Sequence, residues 1–329
     1  MKHRLPIFPA IVLGMVCAVA AGVFAARTRD QRTAASTAFG NAAPAAAAAG
    51  APLPRVAPAG PPSTGHANLV PVPPPAELIA RAGERMASYD SLSAKISLHS
   101  QVFGESLIAS GLYLQGPPAS RRLRLELKIK LGEKVCSLQQ VSDGAALWIQ
   151  ETTLDNFRLG RVDLQEALSQ LHQAGHRAGV DVLALGGLPS LLDSLNRSFD
   201  FQSVRTEKLA AGPTYVVLGV WKPKMLAVLM PDQKAAIESG AAADRSRLPR
   251  HMPNQVEVYL GRDNLFPYQI DYARAAAPGT HNDDDPVLSR MKMLDVHFDQ
   301  PIDPAQFVYK PGEAVPADDT AVFVRRLTR

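Results

Sequence analysis

Two cysteines in 329 residues leave no room for a disulfide framework. Cys17 lies in an apolar N-terminal stretch and Cys136 in a strand-like run, so they are not expected to pair, and Cys136 is expected to be buried as a small hydrophobe. Catalytic signatures are also scarce. Ser110-Gly111 and Ser239-Gly240 lack the flanking glycine of a nucleophile elbow, and Ser91, Ser93 and Lys95 do not form a Ser-x-x-Lys. No glycine-rich phosphate cradle is present. Excess charge is missing too, once the chain is divided. Of 35 basic and 31 acidic residues, six basic ones and Asp30 precede Ala76, which leaves 29 and 30 for the rest. The pI near 9.1 therefore belongs to the N-terminal portion, and nothing supports nucleic-acid binding by a basic domain.

The N-terminal portion is built differently from the remainder. Lys2-His3-Arg4 precedes an apolar run from Leu5 to Ala26, followed by Arg27, Arg29 and Arg32. Such a run can span a bilayer, while Val23-Phe24-Ala25 offers a small-residue cleavage signal. Residues 1–32 therefore read as a signal or anchor segment. Either form places the rest outside the cytoplasm, in the periplasm or at the outer face of the cytoplasmic membrane. Residues 33–75 are dominated by Ala, Pro and Gly, which predicts a disordered tether.

From Ala76 the periodicities of a folded domain begin. Glu77 to Met86 reads as a helix after a proline start signal. Five strand-like runs follow, Leu92–Phe103, Ser106–Gln115, Arg121–Leu131, Lys134–Val141 and Ala145–Glu151, separated by glycine-rich turns. The third run is the clearest. In R-L-R-L-E-L-K-I-K-L, Leu123, Leu125, Leu127, Ile129 and Leu131 share one face, and charged residues share the other. A sheet with one greasy and one wet face is antiparallel and covers something apolar.

Helical periods return at Val162–Gln173 and after Gly186-Gly187, at Leu188–Leu195. Strands resume at Phe199–Leu209, Thr214–Lys222, Gln255–Gly261, Leu265–Ala273 and Leu288–Phe298. Residues 225–254 read as an insertion, a mobile loop with a short helix near Gln233–Glu238, and 316–329 as a C-terminal tail. His172 and His176, and Asp283-Asp284-Asp285, are weak metal candidates without a third ligand or calcium-loop spacing.

Three landmarks in this order resemble the LolA/LolB-like family of periplasmic lipoprotein carriers. Tyr89-Asp90-Ser91-Leu92 leads from the first helix into a long strand; Asp143-Gly144 with Trp148 looks like a family hairpin; and Phe298-Asp299, Ile302-Asp303-Pro304, Phe307 and Lys310-Pro311-Gly312 look like its closing segment. Val256 to Asp263 with Phe266-Pro267 resembles a strand–turn–strand of the same family. The match covers roughly residues 76–315.

The resemblance implies an α+β fold, an unclosed antiparallel β-barrel with helices across its concave face. It implies acyl chains of lipids or lipoproteins held in an apolar cavity, without enzymatic activity, metal or cofactor. The expected cavity wall is Leu123, Leu125, Leu127, Ile129, Leu147, Ile149, Leu218, Phe266, Ile270, Leu294, Val296 and Phe298, with ordinary core packing as the alternative for each. A second reading is a membrane-tethered structural or sensor module that binds an envelope protein partner. It would expose an apolar patch at Met225–Met230.

Overall fold

A computed structural model describes residues 73–102, 105–132, 134–153, 156–173, 183–275 and 286–327. The signal or anchor segment, nearly all of the tether, His176 and the Asp283–Asp285 run lie outside these residues. Helix α1 (Pro75–Ala87) begins with proline at its first position and buries Leu78, Ile79, Ala82 and Met86 along one stripe. A meander follows: β1 (Leu92–Val102), β2 (Glu105–Gln115), β3 (Arg122–Leu131), β4 (Lys134–Asp143), β5 (Ala146–Thr152) and β6 (Phe157–Asp163). Next come α2 (Leu164–Gln173) and α3 (Leu183–Ser198), then β7 (Phe199–Leu209) and β8 (Gly212–Trp221). Short helices α4 (Pro223–Leu229) and α5 (Lys234–Glu238) precede β9 (Gln255–Gly261), β10 (Pro267–Ala273) and β11 (Val287–Phe298). Last come β12 (Ala317–Asp318) and α6 (Thr320–Leu327).

All twelve strands form one sheet in the order β12-β6-β5-β4-β3-β2-β1-β11-β10-β9-β8-β7. Every pairing is antiparallel except β12 with β6, and the end strands β12 and β7 do not pair with each other. This is the expected open half-barrel. Its long-range join is β1 with β11, where Leu98 faces Met291 and Leu92 faces Phe298. Two of the sequence landmarks meet there. Asp90 N donates to Asp299 Oδ1 at 2.8 Å, Asp299 N donates to Ser91 O, and Tyr89 stacks on Phe298 at 4.5 Å.

The Asp143-Gly144 turn shows why that dipeptide is needed. Asp143 Oδ1 accepts from Ala145 N and Ala146 N, each at 2.8 Å. Gly144 has φ of 100°, and a Cβ there would come within 2.3 Å of the Ser120 carbonyl oxygen.

Helices α1 and α3 pack on each other, closely enough that a Cβ on Gly83 would sit 3.9 Å from Leu192 Cβ. Together they cross the concave face: α1 reaches β7 and β8, while α3 touches β3, β4 and β7. A separate pair, α2 and α6, covers β5 and β6. The core is divided in the same way. The larger apolar cluster joins α1 and α3 to β1–β4 and β7–β11; the smaller comprises Leu147, Val162, Leu164, Ala167, Leu171, Phe323 and Val324.

Three expectations about organisation require correction. A sixth strand, β6, precedes the helices, because Val162 belongs to F-R-L-G-R-V-D and helix α2 starts only at Leu164. The expected C-terminal tail is folded: Ala317 and Asp318 pair with β6, Asp319 binds Arg158, and α6 packs on α2. The expected mobile insertion is folded as well. Leu226, Ala227, Met230, Ile237, Leu248 and Met252 all join the larger apolar cluster. Arg274 fastens the segment after α5 by donating to the carbonyls of Ser246, Leu248, Pro249 and Met252. The insertion thus closes the end of the half-barrel where β8 finishes and β9 begins.

Candidate functional site

The inner surface is assembled by register. Leu123, Leu125, Leu127 and Ile129 on β3 face Gln115, Tyr113, Gly111 and Ala109 on β2, and Ser142, Gln140, Leu138 and Cys136 on β4. All four β3 side chains are buried, as is Cys136, whose thiol is pushed up by burial. From the other wing come Phe266 and Ile270, both buried, with Val296 and Phe298 partly buried against the same cluster. The helices supply Leu78, Met86, Leu188, Leu191 and Leu195 from above. Five of the eight methionines in the chain, Met86, Met230, Met252, Met291 and Met293, lie in this layer. Their unbranched thioethers adapt to irregular space better than branched aliphatics do.

Nine expected wall residues thus face the larger layer or its rim, with Ile149 at the edge; three do not. Leu147 is buried, but in the smaller cluster beneath α2 and α6. Leu294 points outward and is 47% exposed. The strand carries a bulge opposite Ser93 and Lys95, and Asp295 has φ of 48°, which reverses the alternation between Met293 and Val296. Leu218 is buried on the opposite face of the sheet. It pairs with Glu257, whereas the neighbouring Val217 pairs with Val258 inside the layer. Val216 and Val220 share the outer side with Leu218, and β8 is apolar on both faces.

Sequence reading missed Val217, Val256, Val258, Leu260, Met291 and Met293 on the inner face. A signal for the two methionines existed: Arg290-Met291-Lys292-Met293 and Leu294-Asp295-Val296-His297-Phe298 alternate with opposite parity, which only a bulge can reconcile. No comparable signal separates Val217 from Leu218.

The inner face also holds polar groups. Tyr113 Oη donates to Gln115 Oε1 at 2.5 Å and accepts from Leu188 N at 3.0 Å. Burial raises the Tyr113 phenol well above its usual range, so the group stays neutral and serves as a fixed hydrogen-bonding post. Gly187, with φ of 60°, lies directly over this pair and breaks α3 into two segments.

The outer face offers ion pairs. Arg205 holds Glu257 at 2.9 Å, and Arg290 holds Asp271 at 2.7 Å, with both carboxylates buried. Near β3, the face expected to be wet is partly covered. Arg124 donates to Gln306 O at 2.7 Å, and Trp148 stacks on Tyr309 at 5.2 Å. His99 Nε2 lies 3.0 Å from Ser106 Oγ, but both side chains are exposed, so this pair has no dry pocket in which a developing charge would be stabilised. Among the described residues, no group of three or more His, Cys, Asp or Glu side chains converges to hold a metal, and no helix is long and apolar enough to cross a membrane.

No protein-family model and no curated protein matches the chain. Solved structures do. The Pseudomonas aeruginosa MucA/MucB complex matches at 12% identity over 72% of this chain, with a TM-score of 0.36; the chain spans 61% of the length of that relative. Mycobacterium tuberculosis lipoprotein LppX matches at 11% identity, covering 70% of this chain and 97% of its own, with a TM-score of 0.35. A putative outer membrane lipoprotein-sorting protein domain from Vibrio parahaemolyticus matches at 9% identity, covering 70% and 95%, with a TM-score of 0.28.

Proposed function

We propose that this protein binds acyl chains of lipids or lipoproteins, without catalysis, in the apolar layer between the half-barrel and helices α1 and α3. One observation carries the reading: apart from a few polar groups such as Tyr113, Gln115 and Gln140, the concave sheet face is lined by aliphatic, thioether and aromatic side chains, and α3, one of the two helices over its centre, is broken at Gly187. Each methylene moved from water into such a layer contributes roughly 0.8 kcal/mol, so a long chain needs no specific polar contact to be held. The N-terminal segment would place the domain outside the cytoplasm, on a tether at a membrane. Native mass spectrometry of the full-length chain purified from its own envelope tests the proposal. Co-purifying masses of acylated species are expected, and an empty chain that also fails to take up a fluorescent fatty acid would refute it.

A second reading, a module that docks a protein partner, loses its first motive, because Leu226, Ala227 and Met230 are buried in the core. It keeps another. Ile108, Val135 and Phe157 are about half exposed or more, on neighbouring hairpins of the outer face.

A further inference from the structure

Gln140 stands on the inner face of β4, opposite Leu125 of β3 and Ile149 of β5. Its side chain is buried, at 7% exposure, and its Oε1 has no hydrogen-bond partner. Leaving a buried amide carbonyl unpaired is costly, and native structures pair nearly all such groups. The polar neighbours are satisfied by the protein. Tyr113, in the same cross-strand row beyond Leu125, is tied to Gln115 and Leu188, and Ser142 Oγ donates to Arg121 O at 2.8 Å.

The position is also particular. Ile149 packs against both the larger and the smaller apolar cluster, so Gln140 lies at the seam between them. Helix α3 touches β4 on one side of that seam, and α2 touches β5 on the other. An acyl chain lying in the larger layer can therefore bring one end to Gln140, where the two helical covers part.

We propose that Gln140 Oε1 receives a hydrogen-bond donor, a hydroxyl or an amide N–H, carried at the polar end of an acylated ligand. This rests on the acyl-chain reading and adds to it a choice among ligands. An ionised carboxylate, an ether or an ester can only accept hydrogen bonds and leaves Oε1 empty, whereas a hydroxyl or amide fills it.

The test uses the full-length chain loaded with a fluorescent fatty acid and displaced by 1-hexadecanol, by hexadecanamide or by hexadecyl methyl ether, which lacks a donor. The alcohol, the amide or both should displace about tenfold more tightly than the ether, the factor expected of one hydrogen bond to a group otherwise unpaired. Which of the two prevails separates a hydroxyl-bearing lipid from an N-acylated one. In the near-isosteric variant Gln140→Met the preference should vanish while fluorescent-probe affinity is retained, and Gln140→Leu provides a second form should the first fold poorly. Equal displacement by all three, or a preference that survives both substitutions, overturns the proposal but leaves acyl binding intact. Failure of the probe to bind at all overturns both.

Discussion

At the scale of single residues, Gly187 is the position where backbone and chemistry constrain each other most tightly. Its φ of 60° disfavours any side chain, and a Cβ would come within 2.4 Å of both Gln115 Oε1 and Tyr113 Oη. Gly187→Ala must therefore strain the helix break and disturb the hydrogen bonds that anchor it. A loss of about 2 kcal/mol or more is expected in urea unfolding. A variant as stable as the parent would mean that the break is not fixed by the Tyr113–Gln115 pair. Residues also show where sequence reading stops. Leu123 to Ile129 could be placed because charged residues alternate with them, whereas in V-V-L-G-V-W every neighbour is apolar and parity carries no information. Gln140 lay beyond reach for a different reason: glutamine is common on wet strand faces, and only the register with Leu125 puts it inside.

Elements were legible in proportion to their regularity. The meander, its turns and helix α1 follow from alternation, Gly-containing turns and a proline start, all local signals. The short helix expected near Gln233–Glu238 is α5, but α4, with seven residues, is too short to display a helical stripe, and the Arg-rich segment that follows α5 resembles a solvated loop, so the burial of the insertion was not legible. Its apolar residues make sense only against the end of the barrel. Leu226→Ala and Met230→Ala should each cost about 2–5 kcal/mol, the range for emptying a buried aliphatic site. Val228→Ala, at a half-exposed position on the same helix, should change stability by no more than about 0.5 kcal/mol. Thermal or denaturant melts of the three variants decide this, and equal effects would remove the insertion from the core. The C-terminal elements were missed because β12 has only two residues and owes its place to Arg158 and to β6, partners more than 150 positions away.

For the whole molecule, the division into two covered regions is the property from which function is argued. Helices α1 with α3 and α2 with α6 meet the sheet separately, leaving a seam at Gln140 and Ile149. The larger region draws on both wings of the sheet, on the insertion and on five methionines, whose unbranched thioethers fill irregular space. The broad architecture could be anticipated from order and alternation. The seam could not, since it depends on which helix lies over which strand. Photo-crosslinking with a diazirine-bearing fatty acid, mapped by peptide sequencing of the full-length chain, tests the central claim most directly. The account predicts labels on the inner positions of β3, on Met291 or Met293, and on α1 or α3, all competed by unlabelled lipid. Labels confined to Ile108, Val135 and Phe157 on the outer face, or none above control, would contradict it.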